Sequence, residues 1–173
     1  MPNHLSLLGI FHTAVSILSL LVAFYALLRD GKIKPSNGRG KLYILLTVIT
    51  CLTSLPIMKT GHLTAGHYVA VIVLLILPLA IYVPSFKFLG KSTAYIQVFL
   101  MSLTLFFSFI PAIVETLTRV PISQPIADGP NAPIIQTSLL ILVVVFIFGV
   151  IYQFIKIRST QKSSPENTIH LAH

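Results

Sequence analysis

Five side chains in this sequence are candidates to bind a ligand or to move a proton together: His12, His62, His67, Glu115 and Arg119. Two of them stand in Lys59-Thr60-Gly61-His62-Leu63-Thr64-Ala65-Gly66-His67, a short polar break that reads Gly-His, three residues, Gly-His. Imidazole changes charge near neutral pH and ligates metals through either ring nitrogen. Glu115 and Arg119 lie one helical turn apart, a spacing that pairs them and holds the carboxylate ionised. Three chemistries follow. His12 with His67, or with His62, can supply the axial ligands of a b-type haem held between facing helices. His12 and Glu115 can titrate in a hydrated cavity, as in proton-coupled transport or small-molecule binding. His12, His62 and His67, with Glu115 beside them, can form a zinc-type metal site. On a regular helix, positions five apart point about 140° from one another. His62 and His67 therefore share a metal only where the backbone between them is not helical, which Gly66 permits.

Each residue also has a plain structural role. A neutral imidazole near a membrane interface is cheap, a Glu–Arg pair can simply close a helix end, and His12 bonded to a neighbouring hydroxyl or carbonyl is interhelical glue. Phosphate loops, serine elbows and the His-Glu-x-x-His motif are absent, so no catalytic residue is assigned.

The elements that must position these side chains are set by composition. Of 173 residues, 55% are hydrophobic and only 9% charged, with a mean hydropathy of +0.90. That is the composition of an integral membrane protein. Cys51 is the single cysteine, inside an apolar run, so there is no disulfide framework. Five segments reach or approach the roughly 20 apolar residues that cross a bilayer: about 4–28, 42–58, 67–89, 94–118 and 134–156. They predict an all-α, polytopic bundle over residues 1–158, with a four-helix core, a peripheral fifth transmembrane helix, and a disordered cytoplasmic tail over 159–173. The first apolar run is too long for the core of a cleavable leader and reads as a span.

Orientation comes from the basic residues. Arg29, Lys32, Lys34, Arg39, Lys41, Lys87, Lys91, Lys156, Arg158 and Lys162 share one side, and only Lys59 and Arg119 the other. Ten against two predicts that the first side is cytoplasmic, with the N-terminus out and the C-terminus in. The same placement accounts for the net charge of +8 without nucleic acid. Tyr25, Tyr43, Tyr82, Tyr95 and Tyr152 fall near inner ends and Tyr68 near an outer one, as interfacial aromatics do.

Polar stripes mark the faces turned toward protein. His12, Ser16, Ser19 and Ala23 recur every three or four residues, as do Thr47, Cys51 and Ser54, and Gln97, Thr104, Ser108, Pro111 and Glu115 at that spacing or its multiples. Topology then collects His12, His62, His67, Glu115 and Arg119 in the outer half, and ionisable groups at that depth are functional candidates. The expected result is a small inner-membrane protein with an outward His/Glu/Arg pocket. Its partners are the lipid bilayer and, in a redox-linked role, quinone or other membrane subunits.

A resemblance adds to this. His12 in the first span, Asn37-Gly38-Arg39-Gly40-Lys41-Leu42-Tyr43 entering the second, and Gly61-His62 with Gly66-His67 before the third carry part of it. The run Phe109-Ile110-Pro111-Ala112-Ile113-Val114-Glu115-Thr116-Leu117-Thr118-Arg119-Val120-Pro121 closing the fourth carries the rest. Over residues 12–121 the chain resembles uncharacterised small bacterial membrane proteins with four or five spans and outward-side histidines. The resemblance implies that fold and a bacterial inner-membrane location. Such proteins often carry His at the positions of Asn37 and Ser108, so the departure here leaves fewer haem ligands.

Overall fold

The computed structural model describes residues 6–57, 63–121 and 123–162 of the chain. Among them the regular structure is entirely helical: α1 Leu7–Asp30, α2 Gly38–Ser54, α3 Ala65–Tyr82, α4 Thr93–Leu117 and α5 Pro133–Lys162. Two short 3₁₀ segments, Val83–Ser85 and Lys87–Ser92, link α3 to α4. The helix ends follow from local chemistry. Ser6 caps α1 by accepting from the Gly9 N–H at 3.1 Å, and α1 stops where Gly31 turns left-handed (φ 70°) and its N–H returns to the Leu27 carbonyl. Asn37 caps α2 through Gly40 N–H at 2.8 Å, so that helix starts four residues ahead of the apolar run that announces it. It stops at Ser54, before Pro56.

Four helices, α1, α3, α4 and α5, are long and apolar enough to cross a membrane. Helix α2 has 17 residues, about 26 Å at 1.5 Å per residue, and is the short member. Helix α3 ends sooner than its apolar run, because Pro84 ends the regular ladder and a 3₁₀ turn takes over. Helix α5 extends past Lys156 to Lys162, so Ser159–Lys162 is helix where the sequence suggests tail. Residues 163–173 lie outside the described residues.

Neighbouring helices run antiparallel, as their cross-links show. Ser19 Oγ meets Thr47 Oγ1 at 2.8 Å between α1 and α2. Gln97 Nε2 of α4 donates to the Ala80 carbonyl of α3 at 2.9 Å. Ser102 Oγ of α4 donates to Gln153 Oε1 of α5 at 2.8 Å. The core is drawn from the first four helices and the α1–α2 turn: Ala23, Ala26, Ile33, Tyr43, Cys51, Ala70, Val73, Leu77, Ala80, Met101 and Leu105. The alanines let backbones approach, which matters where lipid is as apolar as leucine and packing must supply the association. Helix α5 leans on α4 through Tyr95 against Phe154, edge to face at 5.2 Å, and Phe106 against Phe146 at 4.9 Å. Most of its remaining surface is exposed apolar side chain, including Leu140, Val144, Phe148 and Ile155.

One placement differs from the sequence reading. Tyr43 is not an interfacial aromatic; it is 0% exposed. Its hydroxyl meets Thr104 Oγ1 of α4 at 3.0 Å, with the Thr47 and Ser108 hydroxyls also beside it. A phenol needs a partner when buried, and the hydroxyls of α2 and α4 provide it. Tyr25, Tyr68 and Tyr82 are exposed close to helix ends, whereas Tyr152 is exposed ten residues before the end of α5.

Candidate functional site

The antiparallel order puts the start of α1, the end of α2, the start of α3 and the end of α4 at one end of the bundle. His12, His67, Glu115 and Arg119 all lie there, in three local arrangements. His62 falls outside the described residues.

His12 reaches across to α2. Its Nδ1 is 3.1 Å from the Thr50 carbonyl and 3.1 Å from Thr53 Oγ1. The Thr53 hydroxyl hydrogen goes to the Ile49 carbonyl at 2.7 Å, so toward His12 that oxygen accepts, as the Thr50 carbonyl must. Both partners of Nδ1 being acceptors, Nδ1 carries a proton and donates. A neutral ring then has a bare lone pair on Nε2. The Thr50 carbonyl lies one turn before the end of α2, toward the negative end of the helix dipole. Among the described residues the His12 Nε2 has no hydrogen-bond partner.

His67 has the opposite arrangement. It is the third residue of α3 and 5% exposed. Its Nδ1 accepts the backbone N–H of Thr64 at 3.0 Å and lies 2.9 Å from the Thr64 hydroxyl. A nitrogen that accepts a backbone N–H carries no proton, so in the neutral ring the proton sits on Nε2. That Nε2 is buried and without a partner among the described residues. The other orphaned buried polar atom there is Thr50 Oγ1, on the residue whose carbonyl receives His12. Buried polar atoms without partners are rare in folded proteins, and two at one end of a bundle mark a place for water or a polar ligand.

Glu115 and Arg119 form the ion pair that their spacing suggests, Glu115 Oε2 to Arg119 Nη2. The Arg119 side chain is 23% exposed and that of Glu115 54%. Beyond α4 the chain folds back over this end, with Ala127 N–H on the Leu117 carbonyl at 2.9 Å and Ala127 itself buried.

The structure thus brings four of the five residues to one end, and pairs Glu115 with Arg119. No three His, Cys, Asp or Glu side chains among the described residues are grouped to hold a metal ion. Ligation of a metal or haem iron by His67 Nε2 requires the Thr64 N–H to leave Nδ1 so that the proton can move there. His12 needs no such change; Nδ1 on a carbonyl with Nε2 bare is the usual preparation of a ligating imidazole. The partners of His12 are not legible from spacing alone. Their signal is the density of hydroxyls in Thr47, Thr50, Thr53 and Ser54, from which the sequence reading takes only Thr47, Cys51 and Ser54 as the inward stripe.

No family model matches the chain, and neither the curated proteins nor the solved structures compared with it give a match.

Proposed function

We propose that this chain is a multi-pass protein of the bacterial inner membrane, N-terminus out and C-terminus in, whose outward end handles a small polar solute together with a proton. In this reading α2 crosses with the other four helices, its 17 residues extended by the turn at Leu55–Ile57. The ten-to-two division of basic residues supports the orientation. One observation carries the functional part: at the same end of the bundle, and among the described residues, His12 has a bare Nε2 and His67 an Nε2–H with no acceptor. In this reading the solute donates to His12 Nε2 and accepts from His67 Nε2. A proton taken up at His12 Nε2 would charge the ring next to the carbonyl end of α2, and Glu115 with Arg119 supplies fixed charge at the mouth.

The test is uptake by proteoliposomes loaded with a pH-sensitive dye, with candidate amines, amides and carboxylates supplied outside. A charge-assisted hydrogen bond of about 1.5–3 kcal/mol makes His12→Ala about tenfold or more weaker in solute-driven proton movement. His170→Ala, in the tail, leaves it unchanged. Equal rates for wild type and His12→Ala sink the reading.

The ligand-ready Nε2 of His12 favours a second reading, a b-type haem or, less well, zinc held by His12 with another residue. Such a protein would work as a redox-linked subunit beside quinone or other membrane subunits. A Soret band in the purified protein that His12→Ala abolishes selects haem; colourless protein with stoichiometric zinc selects the metal.

A further inference from the structure

The opposite end of the bundle holds the turn between α1 and α2, and it is built more firmly than a simple connection requires. Ile33 plugs it into the core at 2% exposed. Asn37 N–H bonds the Lys34 carbonyl at 3.2 Å, and the Asn37 side chain both caps α2 and donates to Asp30 at 3.0 Å. Gly40 packs so close that a Cβ there would lie 1.8 Å from the Lys34 carbonyl oxygen. Between this turn and α4 is an open cavity of about 140 Å³, lined by Lys32, Ile33, Lys34, Ser36 and, from α4, Ala94, Gln97 and Val98. At about 30 Å³ per water, it has room for an anion of four or five heavy atoms.

Its charge is only partly offset, through the attraction between Lys34 and Asp30. Asp30 is the only carboxylate at this end among the described residues, and Arg39 holds both its oxygens, at 2.9 and 3.0 Å. Lys32 and Lys34 form no ion pair among the described residues. A third ammonium, Lys156, stands over the Tyr152 ring at 6.0 Å and packs against Gly31. Burial, then Lys34 and Lys156, lowers the Lys32 amine from the ordinary lysine range. Like charges kept together on a rigid turn, around an open space, are what an anion stabilises.

We infer that the cavity formed by Lys32, Lys34 and Ser36 against α4 binds a phosphate group. Two lysines supply the charge and the Ser36 hydroxyl a donor; the Gln97 amide N–H is already engaged by Ala80. The position, at the membrane–water boundary of the basic side, suits the headgroup of an anionic phospholipid, and the same chemistry suits free phosphate. The inference is independent of the histidine end.

The experiment is titration calorimetry on the full chain in neutral detergent, with inorganic phosphate in one arm and phosphatidylglycerol against phosphatidylcholine mixed micelles in the other. Three variants are compared with wild type: Lys32→Gln/Lys34→Gln, Ser36→Glu, and Lys87→Gln/Lys91→Gln, which removes the same charge outside the cavity. Two lost charge-assisted contacts predict at least about a tenfold loss of affinity in the first variant, with a loss also in Ser36→Glu and little change in the third. Its thermal midpoint without anion stays at or above that of wild type, because repulsion is relieved. Binding of phosphatidylglycerol alone identifies a lipid site, and binding of inorganic phosphate a free-anion site. No binding in either arm, or equal losses in the cavity variants and Lys87→Gln/Lys91→Gln, overturns the proposal.

Discussion

At the scale of single residues, partners decide what each group can do. The two histidines have the same side chain, yet His12 meets two acceptors and His67 a donor, and that alone divides them into base and donor. Glycines show the same dependence on place. Gly40 faces the Lys34 carbonyl, whereas nothing lies within 4 Å of a Cβ on Gly38. Gly40→Ala should therefore destabilise by about 1–3 kcal/mol through overpacking, while Gly38→Ala, two residues away, stays within about 0.5 kcal/mol. Thermal unfolding in detergent separates them, and similar midpoints for both would refute the close approach. His12 stands out in the sequence as a candidate from its depth in an apolar run. What it touches is not legible there, because a stripe names a face and leaves open which residue of the facing helix lies opposite.

At the scale of elements, helices exchange unpaired backbone groups for side chains. Pro84 has no N–H to offer the Ala80 carbonyl four residues back, and Gln97 of α4 donates to that oxygen instead. The polar seam on α4 reads in sequence as a face turned toward protein, and here it has a definite task. Gln97→Leu leaves the carbonyl unsatisfied and should cost about 1–3 kcal/mol. Pro84→Ala restores an N–H, so the double variant should regain part of that loss in the same unfolding assay. Additive losses would show that the two positions do not share the carbonyl. Helix existence was legible throughout, because apolar runs of this length have few alternatives. Helix ends were less so, since Asn37 and Pro84 override the hydrophobic pattern: one starts α2 early and the other ends α3 before its apolar residues run out.

At the scale of the whole molecule, charge and hydrogen-bonding chemistry separate to opposite ends. Among the described residues, most basic side chains gather where α1 meets α2, where α3 meets α4 and where α5 ends; His12, His67 and the Glu115–Arg119 pair gather at the other end. If the basic end is cytoplasmic, Leu63→Cys in a Cys51→Ser background reacts with an impermeant maleimide in intact cells, and Ser36→Cys only after permeabilisation. The reverse pattern would invert the orientation and turn the histidine end inward. Both ends were visible in the sequence as clusters, but the cavity was not, since its walls come from a turn and a helix some sixty residues apart.

The opposed protonation of the two imidazoles is what the proposed solute handling depends on most. Nitrogen-15 NMR of histidine-labelled full-length protein in bilayers reads it directly, with His12→Gln and His67→Gln assigning the signals. The prediction is a neutral ring with its proton on Nδ1 at His12 and one with its proton on Nε2 at His67. The same tautomer at both sites, or Nδ1 protonated at His67, would contradict it.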